Sequence, residues 1–118
     1  MSNDNLILAD LYKEGYTAIP NYYFDSILPL LTPAESRVLQ IIFRHAQYES
    51  LNAKLIVKMS LNELSKYTGL TQKTIVTNLE KLLQKQYIFR IKHVVSNNEH
   101  QTNKYILNTE KLFGVKDE

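Results

Sequence analysis

The 118-residue sequence contains no cysteine and only three glycines. Without cysteine the chain can form neither a disulfide framework nor a thiolate zinc site. Three scattered glycines cannot build a glycine-rich phosphate-binding loop. The three histidines, His45, His93 and His100, are too far apart for a helical metal-binding motif. We therefore expect neither a metal nor another cofactor.

The residue types that enzymes use are present but do not form a group. Serine, histidine and aspartate never fall at a spacing that would pair a nucleophile with its base, and the carboxylates are dispersed along the chain. An active site needs an acid, a base or a nucleophile brought together around one pocket. The sequence therefore predicts that the protein is not an enzyme.

The sequence also lacks a long apolar run. Its beginning, MSNDNLILADLYKEG, has neither the basic start nor the apolar core of a signal peptide, and no stretch is long enough to span a bilayer. A hydrophobic fraction of 44% and a charged fraction of 22% are ordinary for a soluble globular chain. We expect one cytoplasmic domain with no membrane partner.

Positive charge is concentrated in one part of the chain. Residues 54–104 contain eight lysines and one arginine against three glutamates, a net charge of +6. The remaining residues carry five basic and nine acidic side chains, a net charge of −4. A basic segment of this kind is either a solvated face or a surface that binds nucleic acid.

Within this segment, residues 60–86 have the pattern of two helices joined by a tight turn. Ser60 and Glu63 can form a capping box at the start of the first helix, and Gly69 suits the point where that helix stops. Thr71 can cap the second helix. The apolar residues of the second helix recur at helical spacing: Ile75, Leu79, Leu82 and Leu83.

The opposite face of this second helix is predicted to be polar, with no acidic residue. It carries Gln72, Lys73, Thr74, Thr77, Asn78 and Lys81. A short helix, a glycine turn and a longer helix with a cationic face are typical of a helix-turn-helix that reads DNA. An ordinary helical hairpin inside a bundle is the alternative.

Regular elements are also predicted before residues 60–86. Asn21 is expected to cap a short helix that Pro29 ends. Thr32, followed by proline and then by Glu35, is a strong helix start, and this helix is expected to run to about Tyr48. The polar residues 49–54 should then form a loop, and residues 55–59 a short strand.

After the second helix, the segment YIFRIKHVV alternates in character. Phe89 and Ile91 should face one way and Arg90 and Lys92 the other. A polar tip at residues 96–101 follows, and alternation then resumes with Tyr105 and Leu107 directed inward. Two such strands form a β-hairpin, and a hairpin that directly follows a recognition helix is a wing.

The order helix, strand, helix, helix, hairpin predicts a mainly α fold with a small β-hairpin, the winged helix-turn-helix. Residues 1–31 would supply an N-terminal arm and short helices, residues 32–107 the winged-helix core, and residues 108–118 a C-terminal helix and tail.

Three groups of motifs between residues 16 and 92 carry a family resemblance. The first is Ile19-Pro20-Asn21 with Phe24, and the second is Leu31, Glu35, Arg37-Val38-Leu39 and Ile42-x-Arg44. The third is Leu61-x-x-Leu64, Thr68-Gly69-Leu70-Thr71, Thr74-Ile75 and Leu79-x-x-Leu82. Together they resemble the N-terminal domain of phage replication protein O and of related plasmid and mobile-element replication initiators.

The resemblance implies a winged helix that binds double-stranded DNA in replication initiation. Members of that family engage the replicative helicase or its loader through a further C-terminal region, so the resemblance implies a replication protein as partner. It leaves open whether this chain binds that partner in trans or acts alone. The helix-turn-helix alone is shared with regulators of the multiple-antibiotic-resistance type, so a transcriptional repressor is one alternative. A winged helix that binds an acidic protein is the other.

The expected DNA contacts follow from the faces of these elements. Gln72, Lys73, Thr77 and Asn78 should lie near base edges in the major groove. Thr71, Thr74 and Lys81 should hold phosphates. The wing should meet the backbone or minor groove through Arg90, Lys92 and Lys104.

Apolar residues at both ends of the chain favour a homodimer. Ile7, Leu8, Leu11 and Tyr12 recur at helical spacing in residues 5–14, a segment that would either pack on its own domain or form a dimer contact. A last helix over residues 109–115 is expected to close the core with Leu112 and Phe113, and these two residues with Val115 are the second candidate contact. A two-fold dimer would require an inverted repeat in the DNA.

Overall fold

The structure is a computed structural model that describes residues 15–91 and 103–114. The predicted N-terminal segment at residues 5–14, the hairpin tip at residues 96–101, Lys92 and Val115 lie outside these ranges. The described chain is mainly helical with one small antiparallel sheet, as the sequence predicts. Its elements are α1 (Pro33–His45), β1 (Gln47–Glu49), β2 (Lys54–Met59), α2 (Leu61–Thr68), α3 (Gln72–Gln84), β3 (Ile88–Ile91), β4 (Asn103–Leu107) and α4 (Thr109–Phe113).

A short irregular helix precedes α1. It consists of a π-helical turn at Tyr23–Ile27 and a 3-10 turn at Leu28–Leu30. The prediction that Asn21 caps this helix and Pro29 ends it is wrong, because Asn21 is already helical and Pro29 lies inside the 3-10 turn. Proline fits early in such a turn, where its missing N–H leaves no hydrogen bond unmade.

Helix α1 begins as predicted. The Thr32 hydroxyl accepts a hydrogen bond from the Glu35 N–H at 3.2 Å, and a Glu35 carboxylate oxygen accepts one from the Thr32 N–H at 2.8 Å. The predicted end near Tyr48 is wrong, because α1 stops at His45. Strand β1 follows directly and pairs with β2 in the register Gln47↔Ile56 and Glu49↔Lys54. The pairing of β1 with β2 therefore overrides the helical pattern of residues 46–48. The predicted loop is correspondingly shorter and consists of residues 50–53.

The pair of helices α2 and α3 matches the prediction closely. Ser60 and Glu63 form the capping box of α2, and Gly69 ends that helix in the left-handed region with φ +78°. The buried Thr68 side chain then shapes the turn, because its hydroxyl donates to the Leu64 carbonyl at 2.6 Å and accepts from the Leu70 N–H at 3.1 Å. These contacts fix the direction in which α3 leaves α2.

The four strands form one antiparallel sheet in the order β1-β2-β4-β3. Strand β2 thus lies between β1 and β4, and the hairpin strand β3 is the edge opposite β1. Side chains alternate between a buried and an outer face. The buried face carries Leu55, Val57, Met59, Ile88, Tyr105 and Leu107.

In the described part of the chain, one apolar core lies between the buried face of the sheet and the helices. From α1 it takes Val38, Leu39 and Ile42, and from α3 Ile75, Leu79 and Leu82; Leu83 is only partly buried. Helix α4 is shorter than predicted, but Leu112 and Phe113 do close the core, with the Phe113 ring 5.6 Å from that of Phe43. Both side chains are buried in their own domain, so the proposal that they form a dimer contact is wrong.

Candidate nucleic-acid interface

One side of α3 is exposed along the whole helix. Lys73, Thr77, Glu80 and Gln84 succeed one another at intervals of three or four residues and are all exposed. Gln72, Val76 and Lys81 flank this line and are exposed as well. The opposite side is anchored in the core, so α3 is a fixed platform for the exposed residues.

Lys73 and Lys81 are the two lysines that α3 presents to solvent. Among the described residues, salt-bridge contact is confined to Lys85 and Glu35. The positive charges of Lys73 and Lys81 are therefore not neutralised by a direct carboxylate contact within the described ranges. Lys85 also belongs to the basic segment, but its charge is neutralised by the carboxylate of Glu35.

The prediction of a face without acidic residues is wrong because Glu80 lies on it. Glu80 is seven residues, or about two turns, beyond Lys73 along the helix axis. A carboxylate at that point would repel DNA phosphates. The half of α3 that suits an anionic partner is therefore its N-terminal half, residues 71–77.

Three of the predicted contact residues make hydrogen bonds inside this N-terminal half. Thr71 caps α3: its hydroxyl accepts from the Thr74 N–H at 3.2 Å and donates to the Thr74 hydroxyl at 3.0 Å. The Thr77 hydroxyl donates to the Lys73 carbonyl at 3.1 Å and remains exposed. Thr71 and Thr77 are thus accessible, whereas Thr74 is partly buried.

Gln72 is exposed but its amide is engaged. Its side-chain nitrogen donates to the side-chain oxygen of Asn62 on α2. This contact joins the exposed surfaces of the two helices and orients the Gln72 carbonyl oxygen. No local pattern in the sequence signals the role of Asn62, because the two residues meet only when α2 and α3 pack together.

Asn78 does not lie where the sequence predicts. Its side chain is only 5% exposed, and its amide nitrogen donates to the Thr74 carbonyl at 2.8 Å. A buried amide satisfied by its own helix cannot reach a base edge. Asn78 is one residue past the exposed line of Lys73 and Thr77, on the side of the helix that turns toward the core.

Val76 is an exposed side chain that the sequence prediction omits. It is 41% exposed and lies three residues after Lys73 on the same side of α3. An apolar side chain in this position can contact a thymine methyl group in the major groove. Helical spacing alone would have identified Val76 if apolar residues had been considered for the exposed face.

The described part of the hairpin separates its two predicted DNA contacts. Arg90 pairs with Tyr105 across the strands and shares the buried face of the sheet, with its guanidinium carbon 5.8 Å from the Tyr105 ring centroid. Lys104 pairs with Ile91 and lies on the outer face. Arg90 and Lys104, which the sequence predicts to place the wing against the DNA backbone or minor groove, therefore lie on opposite faces of the sheet. Arg90 remains exposed at the sheet edge.

Burial raises the pKa of the Tyr105 hydroxyl above its usual value, although the neighbouring Arg90 opposes this change. The phenol therefore stays protonated, and its ring supports Arg90 as a neutral surface. This contact is a cation–π arrangement between the Arg90 guanidinium and the Tyr105 ring.

The described residues contain no cluster of histidine and carboxylate side chains suited to a metal ion. Over the same ranges, no helix combines the length and the apolar character needed to cross a membrane. Comparison of the chain with protein-family models, curated proteins and solved structures gives no significant match.

Proposed function

We propose that the chain is a winged helix-turn-helix protein that binds double-stranded DNA by inserting α3 into the major groove. The observation that carries this proposal is the pair α2 and α3, joined by the Gly69 turn, with the N-terminal half of α3 exposed. The first helix of such a motif crosses the backbone while the N-terminal residues of the second contact bases.

The order of elements supports the winged form of this motif. Helix α1, strand β2, helices α2 and α3 and the strands β3 and β4 follow one another, and β4 lies between β2 and β3. The antiparallel pair β3 and β4 thus follows directly after α3 in the chain. Strand β1 is an addition at the opposite edge and leaves this arrangement unchanged.

The structure leads us to revise the expected DNA contacts. Lys73, Val76 and Thr77 are the side chains that suit base edges, and Gln72 joins them through the oxygen that its contact with Asn62 orients. The exposed N-terminus of α3 at Thr71 suits phosphates, whereas Lys81 lies beside Glu80 in the C-terminal half and is left out. Arg90 is the wing residue that would reach the backbone, and Lys92, outside the described residues, is retained as a further candidate.

A role in replication initiation rests on the resemblance of motifs in residues 16–92 to those of phage replication protein O and related initiators. The proposal includes a phage, plasmid or mobile-element setting, cytoplasmic location, a replication protein as partner, and neither catalysis nor a cofactor. No observation on the structure favours the repressor alternative over this one.

Binding to duplex DNA can be tested by selecting bound fragments from the source genome and titrating the best one at several salt concentrations. About four phosphate contacts should lower the affinity about 100-fold between roughly 50 and 200 mM salt, because bound counterions are released. Lys73→Ala should weaken binding, whereas Lys54→Ala should not, since Lys54 is an exposed lysine of the sheet. Salt-independent affinity, or equal effects of the two substitutions, would contradict the proposal.

A further inference from the structure

The outer face of the sheet carries an apolar row that runs straight across three strands. The register aligns Ile56 of β2 with Ile106 of β4, and Ile106 with Phe89 of β3. Phe89 is 44% exposed and the two isoleucines are partly exposed. The helices and the core lie on the opposite face of the sheet, so none of the three residues belongs to the core cluster.

A second row beside the first is basic. It lies two residues further along each strand than the apolar row. There Lys58 of β2 pairs directly with Lys104 of β4, which pairs in turn with Ile91 of β3. Like charges directly opposite each other destabilise a strand pair. Within the described ranges no carboxylate forms a salt bridge with either lysine. As far as the described residues go, the two ammonium groups are thus a site of uncompensated positive charge next to exposed apolar surface.

We propose that this outer face binds an amphipathic, acidic helix of a partner protein. Three strands about 4.8 Å apart make the apolar row about 10 Å wide, which about two turns of an α-helix cover. The lysine row is about 7 Å away along the strands, within the diameter of the same helix. Aspartates or glutamates along one flank of such a helix would contact Lys58 and Lys104 while its apolar side covers Ile56, Ile106 and Phe89.

The chemistry of the face selects a protein helix over a single-stranded nucleic acid. Proteins that bind single strands without sequence preference stack successive bases on several aromatic rings. Here Phe89 is the aromatic member of the row, and its neighbours Ile56 and Ile106 are branched aliphatic side chains. Branched aliphatic side chains pack well against leucine or isoleucine of a helix but offer no flat surface to a base.

The test uses the full chain and a designed helical peptide of about 18 residues, with leucines on one side and glutamates beside them. The methyl signals of Ile56, Ile91 and Ile106 should shift in nuclear magnetic resonance spectra when this peptide is added, whereas those of the buried Ile75 should not. A control peptide with lysine in place of each glutamate should produce no shift. The double substitution Lys58→Ala, Lys104→Ala should weaken binding at least about tenfold, and Lys73→Ala should leave it unchanged.

Several outcomes would overturn the proposal. Equal binding of both peptides, or binding of neither, would show that the outer face does not select an acidic helix. Shifts of the same methyl groups with oligo(dT) alone would assign the face to single-stranded DNA. A dimer in sedimentation that Phe89→Gln abolishes would assign it to a second copy, and nuclear Overhauser contacts from Ile56 to Leu8 in the free chain would assign it to the protein's own N-terminal segment. Lys73→Ala tests α3, and the double substitution of Lys58 and Lys104 tests the outer face of the sheet. A negative result with the peptide would therefore not count against the DNA proposal.

Discussion

The Lys85 ammonium nitrogen lies 2.9 Å and 3.1 Å from the two carboxylate oxygens of Glu35, a residue 50 positions earlier in the chain. Glu35 is fully buried, and it also caps the start of α1 through the Thr32 N–H. The pair therefore ties the first turn of α1 to the residue that directly follows α3. It holds the C-terminal end of the proposed recognition helix against the rest of the domain.

Removing Lys85 should destabilise the protein, because it leaves the Glu35 carboxylate buried without its partner. We expect Lys85→Met to lower the free energy of unfolding by about 1.5–3 kcal/mol, the range for hydrogen bonds to charged groups. Glu35→Gln keeps an oxygen for the Thr32 N–H, so the double variant should recover part of the loss. Urea denaturation of the four proteins measures the coupling, and strictly additive effects would show that the two side chains do not interact.

The same contact predicts how stability depends on pH. Burial alone would raise the pKa of Glu35, but the Thr32 N–H and the Lys85 ammonium outweigh burial and hold the pKa below its ordinary value of 4.5. A carboxyl whose pKa is lower in the folded state contributes stability above pH 4.5, and this contribution is lost as the pH falls through the folded-state pKa. Stability measured from about pH 6 to pH 3 should thus fall more steeply in the natural protein than in Glu35→Gln. Parallel curves would contradict this prediction.

Two glycines with left-handed backbone should respond differently to alanine. At Gly69, with φ +78°, an added Cβ meets no atom within 4 Å, so only backbone strain of about 1 kcal/mol is expected. At Gly114, with φ +73°, the added Cβ would lie 3.0 Å from the Tyr22 ring. Thermal unfolding should show the larger loss for Gly114→Ala, and Tyr22→Ala should reduce that loss. Equal losses at the two sites would show that the Tyr22 contact has no effect.

Adjacent residues of α3 should separate stability from DNA recognition. Asn78→Ala removes a buried amide, so we expect a loss of about 1–3 kcal/mol in stability with no change in which DNA sequence is preferred. Thr77→Ala alters an exposed side chain and should change stability by less than about 0.5 kcal/mol. If Thr77 contacts a base, its loss should cost about 1–3 kcal/mol for the preferred duplex only. Reversed effects of the two substitutions would refute the assignment of the exposed face.

The features predicted correctly from the sequence are the ones that local chemistry decides. The capping boxes at Thr32 and Ser60 and the glycine at position 69 each depend on residues within about one helical turn of them. Strand β1 depends on pairing with β2, and local spacing in residues 46–48 favoured helix instead. A period-2 pattern likewise shows that Arg90 and Phe89 face opposite ways, but it cannot decide which of them shares the face of Tyr105.

The exposed residues of the candidate site on α3 were predicted in part, again because local spacing decides only some of them. Helical spacing places Lys73 and Thr77 together on α3, and both are exposed. The Asn78 side chain is rotated by about 100° from that of Thr77 around the helix axis. From the sequence alone, its polar side chain suits either the exposed face or the border of the core. The neutralisation of Lys85 by Glu35 is a contact between distant parts of the chain, so a count of charges along the sequence overestimates the positive charge available to DNA.

The most direct test of DNA recognition by α3 is a nuclear magnetic resonance titration of the isotope-labelled protein with its selected duplex. If α3 enters the major groove, the amide signals of Gln72, Lys73, Val76 and Thr77 should shift most, with smaller shifts at Arg90. The methyl signals of Ile56 and Ile106, on the outer face of the sheet, should remain in place. Shifts confined to the outer face, or none along α3 at saturating DNA, would contradict DNA binding through α3.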